Sequence, residues 1–260
     1  MSERRWPGVA VLAWLLIASL LGGCAWIGFT ETPDSLLKDG QKLYLARRYD
    51  EAIIKLERVV ELDNTRWLAY LYLARCYMAK GSWTVAISDA RLAYETDPDA
   101  EDVEETLSTA LLAGGESALR TERFTLALTD FTEYASLHPN DPRGYLGIGR
   151  ADIGAGRYTS ALDAFTRGIQ NDRIGAVKHD LLQGLLDGGI RALSHGKAKP
   201  AVSLLQEYVN ENPTNPTAYV VLAKAWLASG SGSNARQAVD RALMLDPHQP
   251  EAIALMRSLR

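Results

Sequence analysis

The chain has 260 residues, with 28 Lys+Arg against 32 Asp+Glu, and carries a net charge of −4. That balance excludes the basic excess of a nucleic-acid binder, and two cysteines are too few for a disulfide framework. A hydrophobic content of 47% belongs to a packed, ordered protein.

The first predicted element is an export segment. Arg4 and Arg5 make the start basic, Val9–Leu21 is apolar apart from Ser19, and "LGGC" closes the run at 21–24. A basic lead, a short apolar core and a small-residue exit mark a secretory signal. The core has 13 residues, fewer than the roughly 20 of a spanning helix. "LGGC" resembles a bacterial lipobox, which implies removal of 1–23 and acylation of Cys24, the first residue of the mature chain. Two or more acyl chains anchor stably. A signal anchor is the alternative, because the apolar stretch can extend to Phe29 with Arg4 and Arg5 left inside. Both place the rest of the chain outside the cytoplasm. Loss of 1–23 leaves a net charge of −5. The linker 25–32 reaches at most roughly 27 Å, so Trp26, Ile27 and Phe29 are expected either in the membrane interface or packed on the first helix.

From residue 33 onward one pattern returns six times. "ARRYDEAIIKLERVVELDN" reappears as "KGSWTVAISDARLAYETDP" and "TERFTLALTDFTEYASLHP", then as "GAGRYTSALDAFTRGIQND", "HGKAKPAVSLLQEYVNENP" and "SGSGSNARQAVDRALMLDP". Four copies set an aromatic three residues before an alanine: Tyr49 and Ala52, Trp83 and Ala86, Phe124 and Ala127, Tyr158 and Ala161. The last two keep Ala201 and Ala235, with Ala198 and Gly232 in place of the aromatic. Twelve residues before these alanines stand Gly40, Ala74, Gly115, Gly149, Gly189 and Ala223. Closing prolines stand at Pro98, Pro139, Pro213 and Pro247.

The pattern resembles the tetratricopeptide repeat (TPR), a 34-residue helix–turn–helix, over 33–66, 67–100, 108–141, 142–175, 182–215 and 216–249. The resemblance implies an all-α fold, a right-handed α-solenoid of six repeats, with residues 250–260 as a capping helix. Small residues let paired helices approach, aromatics fill the space between repeats, and the closing prolines are expected in the first turn of the next helix.

A second period runs inside the first. Four residues before the small one, odd copies carry Leu36, Leu111 and Leu185, and even copies Tyr70, Tyr145 and Tyr219. Inserts at 101–107 and 176–181 fall only between an even copy and the next odd one. They predict first helices lengthened by up to two turns in repeats three and five.

In TPR proteins the first helices line the concave face. Residues three before, one after and four after the small residue share a helical stripe. In the even repeats these are Leu71, Arg75 and Met78, then Leu146, Arg150 and Ile153, then Val220, Lys224 and Leu227. Each even repeat thus sets a cation between two apolar side chains, a groove suited to an apolar helix or extended peptide carrying acidic groups. Two other origins stay open: the cations were copied by duplication, or the stripe closes against neighbouring helices. Cys76 is expected as a small buried hydrophobe.

Signals for catalysis fail. His138, His179, His195 and His248 are scattered, with no metal-ligand spacing. "GIGRADIGAG" has neither the GxGxxG order nor a preceding strand, and "GSGSNAR" lacks GxSxG. The sequence predicts no enzyme, cofactor, metal or nucleic acid. It predicts an envelope scaffold, tethered by lipid at Cys24, that holds a protein partner for assembly of a pilus, secretion or outer-membrane complex. The alternative is an adaptor that recruits or regulates a cell-wall enzyme. Ala25, not Asp, after the lipidated cysteine implies outer-membrane sorting and a periplasmic face. Self-association through apolar stripes and end helices is also expected of such an array.

Overall fold

The computed structural model describes residues 31–259, so the export segment, Cys24 and residues 25–30 lie outside the described residues. Within them are thirteen helices and no strand. They alternate as first and second members of six pairs: α1 (Pro33–Leu45) with α2 (Tyr49–Leu62), α3 (Trp67–Ala79) with α4 (Trp83–Thr96), α5 (Val103–Arg120) with α6 (Phe124–Leu137). Then follow α7 (Pro142–Gly154) with α8 (Tyr158–Asn171), α9 (Lys178–Ser194) with α10 (Ala198–Glu211), and α11 (Pro216–Ala228) with α12 (Gly232–Leu245). A single helix, α13 (Pro250–Ser258), ends the array.

The helix starts carry conventional caps. Thr32 accepts from Ser35 N and donates its own N–H to Ser35 Oγ, so this residue belongs to α1 and not to a linker. Asp141, Asn215 and Gln249 cap α7, α11 and α13 with a side-chain oxygen. The closing prolines differ from expectation. Pro98, Pro139, Pro213 and Pro247 do not begin the next helix; each follows the end-cap residue of a second helix. Proline forces the residue before it out of the helical region, and Asp97, His138, Asn212 and Asp246 accordingly have extended φ between −150° and −125°. Helices open instead on Pro33, Pro142, Pro216 and Pro250, where the missing N–H costs nothing.

Every turn inside a pair is built alike. Its left-handed residue is Arg47, Gly81, Glu122, Gly156, Gly196 or Gly230, seven after the small residue, with φ between 55° and 86°. The next residue's N–H bonds back to the last turn, as in Arg48 N to Leu43 O at 2.9 Å and Lys197 N to Ala192 O at 2.8 Å. These are Schellman closures, which favour glycine.

What clamps each pair is a size match. The residue four after the alanine is buried in all six second helices: Leu56, Ala90, Phe131, Phe165, Leu205 and Val239. Opposite a large one stands glycine, and opposite a smaller one alanine. A Cβ on Gly40 would fall 2.7 Å from Leu56, on Gly115 2.7 Å from Phe131, on Gly149 2.4 Å from Phe165, and on Gly189 2.5 Å from Leu205. Ala74 and Ala223 are the partners in register with Ala90 and Val239. Phe131 and Phe165 also reach the following first helix, because Gly147 and Gly184 leave the rings bare backbone to lie on.

Between pairs, first helices pack side by side from α1 to α11, whereas among second helices only α8 and α10 come as close. The array closes up on the side of the first helices, and their free side is its inner face. α5 has 18 residues and α9 has 17, against 13 in α1, α3, α7 and α11. The inserts therefore add about one turn each. Cys76 is buried and unpaired, and burial pushes its thiol up to about 11, leaving a protonated small hydrophobe.

Candidate functional site

The three even-repeat cations lie on the inner side of α3, α7 and α11, and each faces carboxylates. Arg75 donates to Asp102 at 2.9 Å and to Thr106 Oγ1 at 3.4 Å. Lys224 donates to Glu251 at 2.5 Å. Arg150 sits 3.6 Å from Glu116 and 3.9 Å from Asp180. Asp102 at the N-cap of α5, and Asp180 and Glu251 in the first turns of α9 and α13, all stand near a helix start, where a negative charge also suits the helix dipole. The cations thus join each two-repeat unit to the next. Repeat spacing alone does not reveal these acidic partners, although the sequence carries a signal for them: in each case an apolar residue follows, giving Asp102-Val103, Asp180-Leu181 and Glu251-Ala252.

Those apolar residues correct the predicted groove. Leu71 is 2% exposed and shares a buried cluster with Val103. Leu146 and Val220 are buried in the cluster that holds Leu181 and Ala252. Ile153 is buried in that cluster as well, and the added Cβ of Gly188 would meet it at 2.5 Å. The first turns of α5, α9 and α13 lie on the leading side chains of the preceding even helix, so Leu71, Leu146 and Val220 are core rather than groove lining, while the trailing Ile153 is buried beneath a cavity. The stripe closes there against neighbouring helices. What stays half-buried is the trailing row, with Met78 and Leu227 from the even repeats and Tyr44, Leu119 and Leu193 from the odd ones. Ile190, at the register position of the cations, is 45% exposed.

At the amino end of this row the Tyr44 ring packs edge-on against Tyr72 with centroids 5.3 Å apart, and the Arg75 guanidinium lies 5.7 Å from the Tyr72 centroid. Burial raises the Tyr44 phenol above its ordinary value, and Arg75 offsets part of the rise. Near the middle a cavity of about 230 Å³ opens between α7 and α9, with Phe124, Ile153 and Phe165 beneath it and Arg150 and Arg191 at its rim.

On the other side of the molecule, two carboxyl groups are out of the ordinary. Asp89 has one side-chain oxygen buried without a hydrogen-bond partner, and burial, with Glu57 second, pushes it up to about 7. Asp130, 3% exposed, is raised to about 6 by burial first and Glu133 second. They occupy the same register, three residues after the repeat alanine. Among the described residues no cluster of three His, Cys, Asp or Glu could hold a metal ion.

Comparison with known families decides what kind of array this is. Two family models, each described as a tetratricopeptide repeat, match the chain, one over 37–101 and 112–173 and the other over 192–259. The chain belongs to the tetratricopeptide repeat family.

The TPR array is similar over 96% of its length to a chain of the Naa15/Naa10 complex bound to HypK-THB, at 12% identity and a TM-score of 0.56. It covers 95% of itself on a chain of the APC/C hetero-tetramer Cut9–Hcn1, at 14% identity and a TM-score of 0.38. A tetratricopeptide repeat protein from Parabacteroides merdae is matched over 94% of this chain and 89% of its own, at 17% identity and a TM-score of 0.39. The chain spans 36% of the matched Naa15/Naa10 chain and 45% of the Cut9–Hcn1 chain. No curated protein matches it. As a TPR solenoid the molecule has the fold of a protein–protein interaction scaffold, a role such arrays fill by surface complementarity without chemistry of their own.

Proposed function

We propose that this TPR protein is a lipid-anchored scaffold outside the cytoplasm that holds a protein partner during assembly of an envelope complex, such as a pilus, secretion or outer-membrane machine. The observation that carries the scaffold role is the inner face: six first helices side by side, with a half-buried apolar row running along them. The anchor rests on "LGGC" at 21–24 behind a basic start and a short apolar run, and the outer-membrane location on Ala25. Among the described residues no helix is long and apolar enough to cross a membrane. Tethering a solenoid at Cys24 would raise the local concentration of its partner without any new contact.

Metabolic labelling with a fatty acid tests the anchor. Label should enter the wild-type chain and be lost in Cys24→Ser, which should also leave the membrane fraction. An unlabelled wild-type chain contradicts the anchor. Crosslinking in cells followed by mass spectrometry tests the scaffold role, and one envelope protein should dominate the capture. Capture of nothing beyond abundant bystanders contradicts it.

A further inference from the structure

In the cavity between α7 and α9 an aromatic floor meets two guanidinium groups that make no hydrogen bond to a carboxylate. Its floor is Phe124, Ile153 and Phe165, and its backbone walls include Gly154 and Gly184. A Cβ on Gly154 would fall 2.2 Å from the Phe124 ring, and one on Gly184 2.6 Å from the Phe165 ring. Both glycines are helical, Gly184 inside α9 and Gly154 at the last position of α7, and their bareness lets aromatic rings lie directly on backbone. At the register of Gly154 the other repeats carry Leu45, Ala79, Arg120, Ser194 and Ala228. The floor is therefore peculiar to the junction of the fourth and fifth repeats.

The rim groups are Arg150, Asp180, Gln183, Asp187 and Arg191. Asp187 accepts from Gln183 at 2.8 Å. Arg150, unlike Arg75 and Lys224, makes no hydrogen bond to a carboxylate; Glu116 and Asp180 stand 3.6 and 3.9 Å away. Arg191 is exposed and has no carboxylate within ion-pair distance among the described residues. Two guanidinium groups can accept a carboxylate here without surrendering a hydrogen bond, and charge-assisted pairs of this kind are the strong ones. The volume of about 230 Å³ is below the roughly 300–1,000 Å³ of small-molecule sites and suits one side chain.

The geometry points to a peptide-anchor site: the cavity takes a single leucine- or phenylalanine-sized side chain of the partner, and Arg191 with Arg150 takes a carboxylate next to it. The inference rests on the scaffold role and names the chemistry of the partner segment. Asp180 and Asp187 remain on the rim, so the two guanidinium groups are already balanced and the site selects one acidic neighbour rather than an acidic run.

The test uses the purified full-length chain in detergent micelles and a fluorescein-labelled Gly-Ser-Glu-Phe-Gly-Ser peptide, read by fluorescence polarisation. The peptide should bind, replacement of its Glu by Lys or its Phe by Gly should weaken binding at least tenfold, and so should Arg191→Glu in the protein. Arg191 is exposed, so the variant should melt with the wild type. With benzoylphenylalanine in place of Phe, crosslinks should map to 150–154 and 183–191. Failure to bind, equal binding of the Lys peptide, indifference to Arg191→Glu, or crosslinks elsewhere overturns the site. The two levels separate in cells: a client captured equally by wild type and Arg191→Glu sinks this cavity and spares the scaffold, whereas no client at all sinks both.

Discussion

Gly115 and Phe131 meet in the middle of the third repeat, and the contact shows how little slack the pair leaves. A methyl at Gly115 would lie 2.7, 2.8 and 2.9 Å from three carbons of a ring that is 1% exposed and is backed on its other side by Gly147. Alanine gains up to about 1 kcal/mol of helix propensity, but overpacking costs about 1–3 kcal/mol. The clash wins. Gly115→Ala should lower the unfolding free energy by about 1–2 kcal/mol in urea titration, and Gly115→Ala with Phe131→Leu should lose less than the two single variants added together. At Asp89 the effect runs through protons. Its folded carboxyl is raised to about 7, above its unfolded value, so the folded chain binds more protons and stability falls as pH rises from about 4 to about 7. Asp130, raised to about 6, acts with the same sign, whereas Asp63 and Asp141 are lowered to about 2 and act below this window. Asp89→Asn should flatten the fall between pH 5 and 8 and be the more stable chain at pH 8, by on the order of 1 kcal/mol; an unchanged slope would show that Asp89 is solvated. The small residues were legible in the sequence because they recur at a fixed period. Their partners were not, because Leu, Ala, Phe and Val at one position look unrelated until the opposing Gly or Ala is known.

At the scale of helices, the ion pairs at the unit junctions follow the two-repeat period of the array. Each even first helix offers a cation, and the next odd first helix brings a carboxylate and an apolar residue down upon it. The nine-residue α13 is the simplest case, held by Ala252 in the core and by Lys224–Glu251. Both partners of that pair are substantially exposed, so it is worth no more than about 1 kcal/mol. Lys224→Glu should speed hydrogen exchange of the α13 amides by about two- to fivefold, and adding Glu251→Lys should restore much of the protection; no change in either variant would make the pair ornamental. The existence and order of the helices could be read in advance from the repeat. Two things could not. The closing prolines were placed in the wrong helix, since a proline after a helix and one at the start of the next differ by only a few positions. The groove stripe was overdrawn, since helical spacing gives a face but not whether a neighbouring helix covers it.

For the molecule as a whole, the decisive feature is the difference between its two faces. First helices draw together on one side and leave a half-buried row from Tyr44 to Leu227, interrupted at the buried Ile153, with Ile190 exposed in its midst. The opposite side carries the second helices, with isolated exposed side chains such as Ile54 and Met244. Scattered apolar residues are ordinary on any surface, whereas a row held in register along the first helices supports the proposed binding face. The most direct measurement places a photo-crosslinking amino acid at one position at a time in living cells, at Ile190 and Leu193 on the inner face and at Ile54 and Met244 on the outer. A discrete protein adduct at the inner positions and none at the outer ones is the predicted result. Adducts confined to Ile54 and Met244 would contradict it and move the binding surface to the second helices.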